Sequence, residues 1–290
     1  MTEPDLADPQ PAGKPPILSI VTISFNQAEY LERAILSVID QVGPAFEYIV
    51  LDPGSTDGSR EIIERYADRI DRIVLAPDDG AADGLNKGLA LARGRYFSYL
   101  NSDDCYLPGA FAEAVAYLDA HPAVDVAFGT GWQIDEHDRR VRRHIPPRVF
   151  TAPRYARGLS YILQQSSFMR TAAARAVGGF NNDNRTCWDG EHFFAMARNG
   201  ARFARVDRDW GAFRIYAASI TGSGRFNEQI RRDFNRMFQT QFGRDCQASD
   251  RARAWLSRVG ELIVEPRRLI SALGARLRQQ GRQASSDQPS

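Results

Sequence analysis

The sequence predicts an α/β protein in which a largely parallel, helix-flanked sheet carries a site along one edge. Three observations point there. Strand-like and helix-like segments alternate through the first hundred residues, four apolar runs each end in a polar cluster, and 290 residues suit one large core with a small appendage. Residues 17–25, ILSIVTISF, are short, β-branched and almost wholly apolar, the pattern of a buried strand. Asn26, with Glu29 three residues on, approaches a capping box, and Leu31, Ile35 and Val38 then recur at helical spacing up to Gln41. YIVL at 48–51 is the second strand, after which STDGS turns into the helix REIIERYADR. RIVLA at 72–76 is the third strand and DGLNKGLALARG a helix ending on Gly94. The fourth strand, from Tyr96, runs straight into Asn101. Such sheets have right-handed crossovers and bind ligands beyond the carboxyl ends of their strands.

The polar clusters at those ends carry the functional reading. Ser24, Asn26, Asp52, Asp57, Asp78, Asp79, Asp103 and Asp104 should converge at one edge. One aspartate after a strand is usually a turn former or a helix cap. Several together repel one another unless a cation offsets their charge, and an all-oxygen site suits Mg²⁺ or Mn²⁺ rather than zinc.

Composition excludes several alternatives. With 43% hydrophobic and 25% charged residues and a net charge of +1, the chain lacks the basic footprint of a nucleic-acid binder. Cys105, Cys187 and Cys246 form no CxxC, and His121, His137, His144 and His192 form no ligand-spaced set. No GxGxxG follows the first strand and no GxxxxGK[ST] occurs, so dehydrogenase and P-loop readings lose their main support. With no signal peptide and no apolar run near eighteen residues, the expected compartment is the cytoplasm.

The ends differ from the middle. Residues 1–16 and 284–290 read as a disordered leader and tail. Phe226, Ile230, Phe234, Met237 and Phe238 recur at helical spacing as a core stripe, and the helix DRARAWLSRVGELIVE behind them has the same character. Residues 266–283 set Leu269, Ile270, Leu273 and Leu277 among arginines. They form either a helix packed on the domain or a peripheral contact with an anionic membrane.

VTISFNQAEYLERAILSVIDQ, YIVLDPGSTDGSREII, DGAADGLNKGLALARGRYFSYLNSDD and QQSSFMR…VGGF resemble, in order, the motifs of glycosyltransferase family 2. The resemblance covers residues 17–222 and implies the GT-A fold, with a nucleotide-binding half at 17–104, an acceptor half at 105–222 and added helices at 223–283. It implies inverting, metal-dependent transfer from a UDP- or dTDP-sugar to a glycan or lipid-linked acceptor in bacterial polysaccharide synthesis.

Carried over residue by residue, the resemblance assigns roles. Thr22, Ser24 and Asn26 belong to the nucleotide pocket, and Asp52 accepts from a uracil or thymine imide N–H. Asp83 faces the nucleoside or caps its own helix, with Asn86 beside it, and Lys87 reaches phosphate or stays in solvent. Asn101-Ser102-Asp103 stands where many members have Asp-x-Asp. Asp103 is therefore the expected metal ligand, with Asn101 and Ser102 on ribose or metal-bound water. Asp189 is the expected base with Glu191 as runner-up, and Asp189 is otherwise a helix cap. Gln165 and Trp188 are on the acceptor side, Trp188 offering a flat face to a sugar ring or packing in the core. Arg214, Tyr216 and Ser219 resemble the FRxHxxSxT closing segment, with Tyr216 replacing the histidine. Pro53, Asn101 and Tyr216 depart from the family pattern, which motivates a second class: a non-catalytic nucleotide-sugar-binding subunit. A sugar-phosphate nucleotidyltransferase would need a glycine-rich basic loop after the first strand, and SFNQAEY is not one.

Overall fold

The first seven elements are β1 (Leu18–Ile23), α1 (Ala28–Ile39), β2 (Phe46–Leu51), α2 (Ser59–Arg65), β3 (Arg72–Val74), α3 (Ala81–Leu91) and β4 (Tyr96–Asn101). The computed structural model describes residues 15–268, 270 and 271. The expected tail, most of the expected leader and most of the basic stretch 266–283 lie outside the described residues.

The four strands pair in parallel in the order β3-β2-β1-β4. The chain builds outward from β1 to β3, then returns through α3 to place β4 on the other side of β1. The carboxyl ends of β1 and β4 therefore flank a topological switch point, where open α/β sheets hold ligands.

Alternation along the strands feeds two cores. On one face Leu31, Ile35 and Val38 of α1 pack with Ile20, Tyr48 and Val50, and on the other Leu85 and Leu89 of α3 meet Val21, Ile49 and Phe97. At Gly88 a Cβ would come within 2.6 Å of Val21 Cγ1, so only glycine lets α3 sit this close to the sheet.

The start of α1 differs from the sequence reading. Gln27 occupies its N-cap position and makes no side-chain cap. Asn26 adopts φ 51°, its amide oxygen accepting from the Thr56 N–H at 2.9 Å. The free Ala28 N–H instead donates to Asp57 Oδ2 at 2.9 Å. A carboxylate from the next loop thus caps the helix, an arrangement no local spacing encodes.

The second half adds β5 (Cys105–Tyr106), α4 (Ala110–Ala120), β6 (Val126–Ile134), β7 (Arg140–His144), α5 (Ala152–Ala156), β8 (Ser167–Arg170), α6 (Thr171–Arg175), α7 (Trp188–Arg198) and β9 (Phe203–Arg214). The sheet continues β4-β8-β6-β9-β5, with β7 paired to β6. Only β6 and β9 are parallel here; β8, β7 and β5 run antiparallel to their partners. The parallel character of the sheet belongs mainly to its first half.

Three helices follow: α8 (Ile220–Ser223), α9 (Asn227–Phe242) and α10 (Ala248–Val264). α9 buries Met237 and Phe238 in the second core, as its stripe requires. α10 does not behave like it. Only Asp250 and Ala254 of that helix are buried, while Trp255 and Leu256 are each 63% exposed. Its attachment is polar, through Asp250–Arg244, Glu261–Arg154 and, just beyond its end, Glu265–Arg205. Among the described residues no helix is long and apolar enough to cross a membrane.

Candidate functional site

A cleft of about 780 Å³ opens at the switch point, a size suited to a small-molecule ligand. Ser24 after β1, Asn101 at the end of β4 and Ser102 and Asp103 just beyond it line one wall. Gln164 and Gln165, Trp188 and Asp189 at the start of α7, and Phe213 and Tyr216 around the end of β9 line the other.

Neighbouring aspartates have different surroundings. Asp104 is buried and fully engaged: Gln165 Nε2 donates to Oδ2 at 2.5 Å, the Arg214 backbone N–H to Oδ1 at 2.9 Å, and Asn101 Nδ2 to Oδ2 at 3.3 Å. Burial and the adjacent Asp103 charge push its carboxyl well above the usual range. Among the described residues Asp103 has one side-chain partner, the Tyr216 hydroxyl, which donates to Oδ2 at 3.3 Å. Burial raises its carboxyl too, the Tyr216 bond and nearby Arg214 acting in the opposite direction. The Gln27 amide donates to the same Tyr216 hydroxyl at 3.1 Å, and burial with the Asp103 charge pushes that phenol up to about 12.

The donor chemistry suits a hard cation. Asn101 Oδ1 is buried without a hydrogen-bond partner among the described residues, on the same wall as Asp103. One carboxylate and one amide oxygen match the few protein ligands Mg²⁺ or Mn²⁺ takes when phosphates and water complete its shell. Among the described residues no group of three or more His, Cys, Asp or Glu side chains could hold a metal alone.

The opposite wall is positioned by close backbone approach. Gly131 on β6 and Gly211 on β9 lie so near the turn Gln164–Ser166 that a Cβ on Gly211 would come within 2.2 Å of the Gln165 carbonyl oxygen. That fit sets Gln165 against Asp104 and leaves Gln164 Oε1 buried and unpartnered at the cleft. Trp188 Nε1 is likewise buried without a partner among the described residues. Asp189 lies in the first turn of α7 but is not its cap, which falls on Cys187. Burial pushes its carboxyl up, opposed by backbone N–H groups of Gly190 and Asp189. Glu191 does not line this cleft. Asn184 Nδ2 donates to its Oε2 at 2.7 Å and Arg236 pairs with it at 2.7 Å, which ties α7 to α9.

Several residues assigned from the sequence are bonded into the protein, and all of these but Arg214 and Ser219 lie off the cleft lining. Thr22 is buried and accepts from the Tyr48 hydroxyl at 3.0 Å. Asn26 ties the loop after β1 to the loop after β2. Asp52 accepts from Ser55 Oγ, the Ser55 and Gly54 N–H groups and Arg60; burial opposes, yet those bonds hold its carboxyl low. Asp83 pairs with Lys87 at 2.9 Å, Lys87 also donates to the Pro77 carbonyl, and neither lines the cleft. Asn86 clamps Phe180 through both backbone groups. Arg214 is a buried hub that donates to the Asp103 and Asp135 carbonyls and to Asp138 and lies over the Tyr30 ring. It lines the cleft with its guanidinium held by these bonds. Ser219 lines the cleft and caps α8 by accepting from the Gly222 N–H. His192, read as a surface or half-buried residue, is buried and stacked on Phe180 at 4.1 Å, and burial lowers its pKa to about 4.

Sequence reasoning missed Gln164, Arg185 and Arg225. Both arginines line the cleft. Gln164 directly precedes Gln165; the arginines belong to no motif, and only tertiary placement finds them.

The family model for glycosyl transferase family 2 matches residues 19–178. The chain belongs to glycosyltransferase family 2. An uncharacterised glycosyltransferase of Mycobacterium tuberculosis is 30% identical over 184 residues, covering 63% of this chain and 69% of that protein. TuaG of Bacillus subtilis, named for teichuronic acid biosynthesis, is 42% identical over 92 residues, covering 31% of this chain. The chain spans only 36% of TuaG and 48% of an uncharacterised glycosyltransferase of Methanocaldococcus jannaschii. Solved structures share the fold. S. aureus TarS 1–349 with UDP-GlcNAc superposes with TM-score 0.61 at 17% identity, covering 86% of this chain and 73% of TarS 1–349. The mannosyltransferase PcManGT of Pyrobaculum calidifontis, with GDP-Man and Mn²⁺, gives 0.60 at 17% identity, covering 99% and 80%.

Proposed function

We propose that this glycosyltransferase inverts the anomeric centre while moving a sugar from a uridine or thymidine diphosphate donor to a hydroxyl of a glycan or lipid-linked acceptor in surface-polysaccharide assembly. One observation carries the reading: a single cleft at the switch point has Asp103 on its strand wall and Asp189 on its helix wall. The TarS complexes with UDP and UDP-GlcNAc support the donor class, and TuaG's name the polysaccharide context.

Asp103 and Asn101 would hold Mg²⁺ or Mn²⁺, which when bound supplies Lewis-acid stabilisation of the departing diphosphate. Ser24 and Ser102 face the same space and offer hydroxyls to the nucleoside, while Arg185 and Arg225 bring positive charge to its rim. Tyr216 orients the Asp103 carboxylate through its hydroxyl. Asp189 takes the proton from the acceptor hydroxyl as the new oxygen–anomeric carbon bond forms and the bond to the donor phosphate oxygen breaks. Its raised proton affinity suits a base, and Trp188 beside it gives the acceptor ring a flat face and an N–H donor. Residues 17–222 form the transferase unit in this reading, with the C-terminal helices as an addition.

A thermal-shift screen of nucleotide sugars, with and without Mn²⁺, tests it. A metal-dependent shift with a uridine or thymidine diphosphate sugar, abolished in Asp103→Ala, is the expected result. The absence of any nucleotide-sugar shift, or a shift indifferent to that substitution, would overturn it.

A further inference from the structure

We propose that the outer face of α10 is a docking surface for an anionic lipid bilayer. The inference does not depend on how the cleft is read. Large apolar side chains on this helix recur at three- and four-residue spacing and stand in solvent: Trp255 is 63% exposed, Leu256 63%, Val259 39% and Ile263 76%. They form one stripe along the helix, and Ile270, beyond the bend at Glu265, is 67% exposed as well. A stripe of this size on a free surface marks an interaction site.

Charge identifies the partner. The acids of α10 and its end face inward and are neutralised there: Asp250 by Arg244, Glu261 by Arg154 and Arg268, Glu265 by Arg205. Arg251 and Arg253, at positions flanking the stripe, are exposed and form no ion pair among the described residues. The outward surface is therefore apolar at its centre and positive at its margins, with a tryptophan among the apolar groups. That combination matches a helix lying in the headgroup region of an anionic leaflet. A second copy of the chain fits less well, because a self-complementary contact would bring the flanking arginines toward like charge. The sequence beyond residue 271 carries Arg276, Arg278 and Arg282 among Leu273 and Leu277, more of the same chemistry.

Flotation of the full-length protein with vesicles tests the assignment. We expect binding to phosphatidylcholine vesicles containing about 30% phosphatidylglycerol, little binding to pure phosphatidylcholine, and release by salt. Trp255→Ser with Ile263→Ser should weaken partitioning about tenfold or more while keeping the thermal midpoint and any donor-induced shift of the parent. In the parent, brominated lipid should quench a share of tryptophan fluorescence that is missing in Trp255→Phe. Undiminished binding by the double variant, or no quenching from Trp255, would overturn the proposal. So would a concentration-dependent dimer, abolished by the double variant, in a protein that ignores vesicles.

Discussion

Residues 17–104 and the segments around α7 and β9 both supply the cleft, and they treat their polar groups differently. Among the strand-tip carboxylates, Asp52 and Asp57 are bonded into their loops, Asp78 accepts from the Gly80 N–H, and Asp104 accepts three hydrogen bonds. On the other side, Asp189, Trp188 Nε1 and Gln164 Oε1 reach a buried wall with no side-chain partner among the described residues. Short loops between parallel strands leave backbone N–H groups that need acceptors, so most acids there are structural. A buried polar atom left without a partner is costly, and a bound ligand is one way to relieve it.

The comparison can be broken most sharply at Asp189. Asp189→Asn should lower kcat by about 10²–10⁴-fold with donor affinity nearly unchanged; a retained rate would dismiss it as the base. Because its pKa is raised and the base must be ionised, the rate should climb with pH through a limb above the ordinary carboxylate range. That limb should vanish in the variant. Next is the contrast between adjacent acids. Asp103→Ala should cost at least about a hundredfold in metal-dependent rate while leaving the urea midpoint close to the parent's. Asp104→Ala strands the Arg214 N–H and the Gln165 and Asn101 amides and should cost about 2–3 kcal/mol of stability. Equal losses of stability in the two variants would erase the distinction between them.

Smaller effects belong to the strand-tip loops. Asp57→Ala removes the cap of α1 and should cost about 1 kcal/mol in denaturant melts without changing kcat. Its bonds hold the Asp57 carboxyl low in the folded protein. That contribution is therefore present above the ordinary carboxylate pKa and disappears as pH falls through the depressed one. Lys87→Ala should cost only a few tenths of a kcal/mol and leave donor binding intact; a clear rise in KM would restore it to the phosphate.

The alternation of buried strands with amphipathic helices was legible from residue 17 to residue 104, because strand and helix periodicities are local. The four strand ends could be located from it, and with them the edge that bears the cleft. Which acids face the cleft was not legible. Asp103 and Asp104 are adjacent with the same side chain, and their surroundings differ because Gln165 and the Arg214 backbone, sixty and more residues away, bond the carboxylate of Asp104 and not that of Asp103. The helices α9 and α10 teach the same lesson. Both show apolar residues at helical spacing, but one stripe meets a core and the other meets solvent.

The sequence alone determined the α/β order, the polar strand ends and the family motifs, since each depends on neighbours within a turn or a strand. Only the tertiary structure decided which carboxylates remain for chemistry, where Arg214 directs its charge and which stripe stays exposed. Those outcomes depend on which distant groups reach hydrogen-bond distance, and no local spacing carries that information.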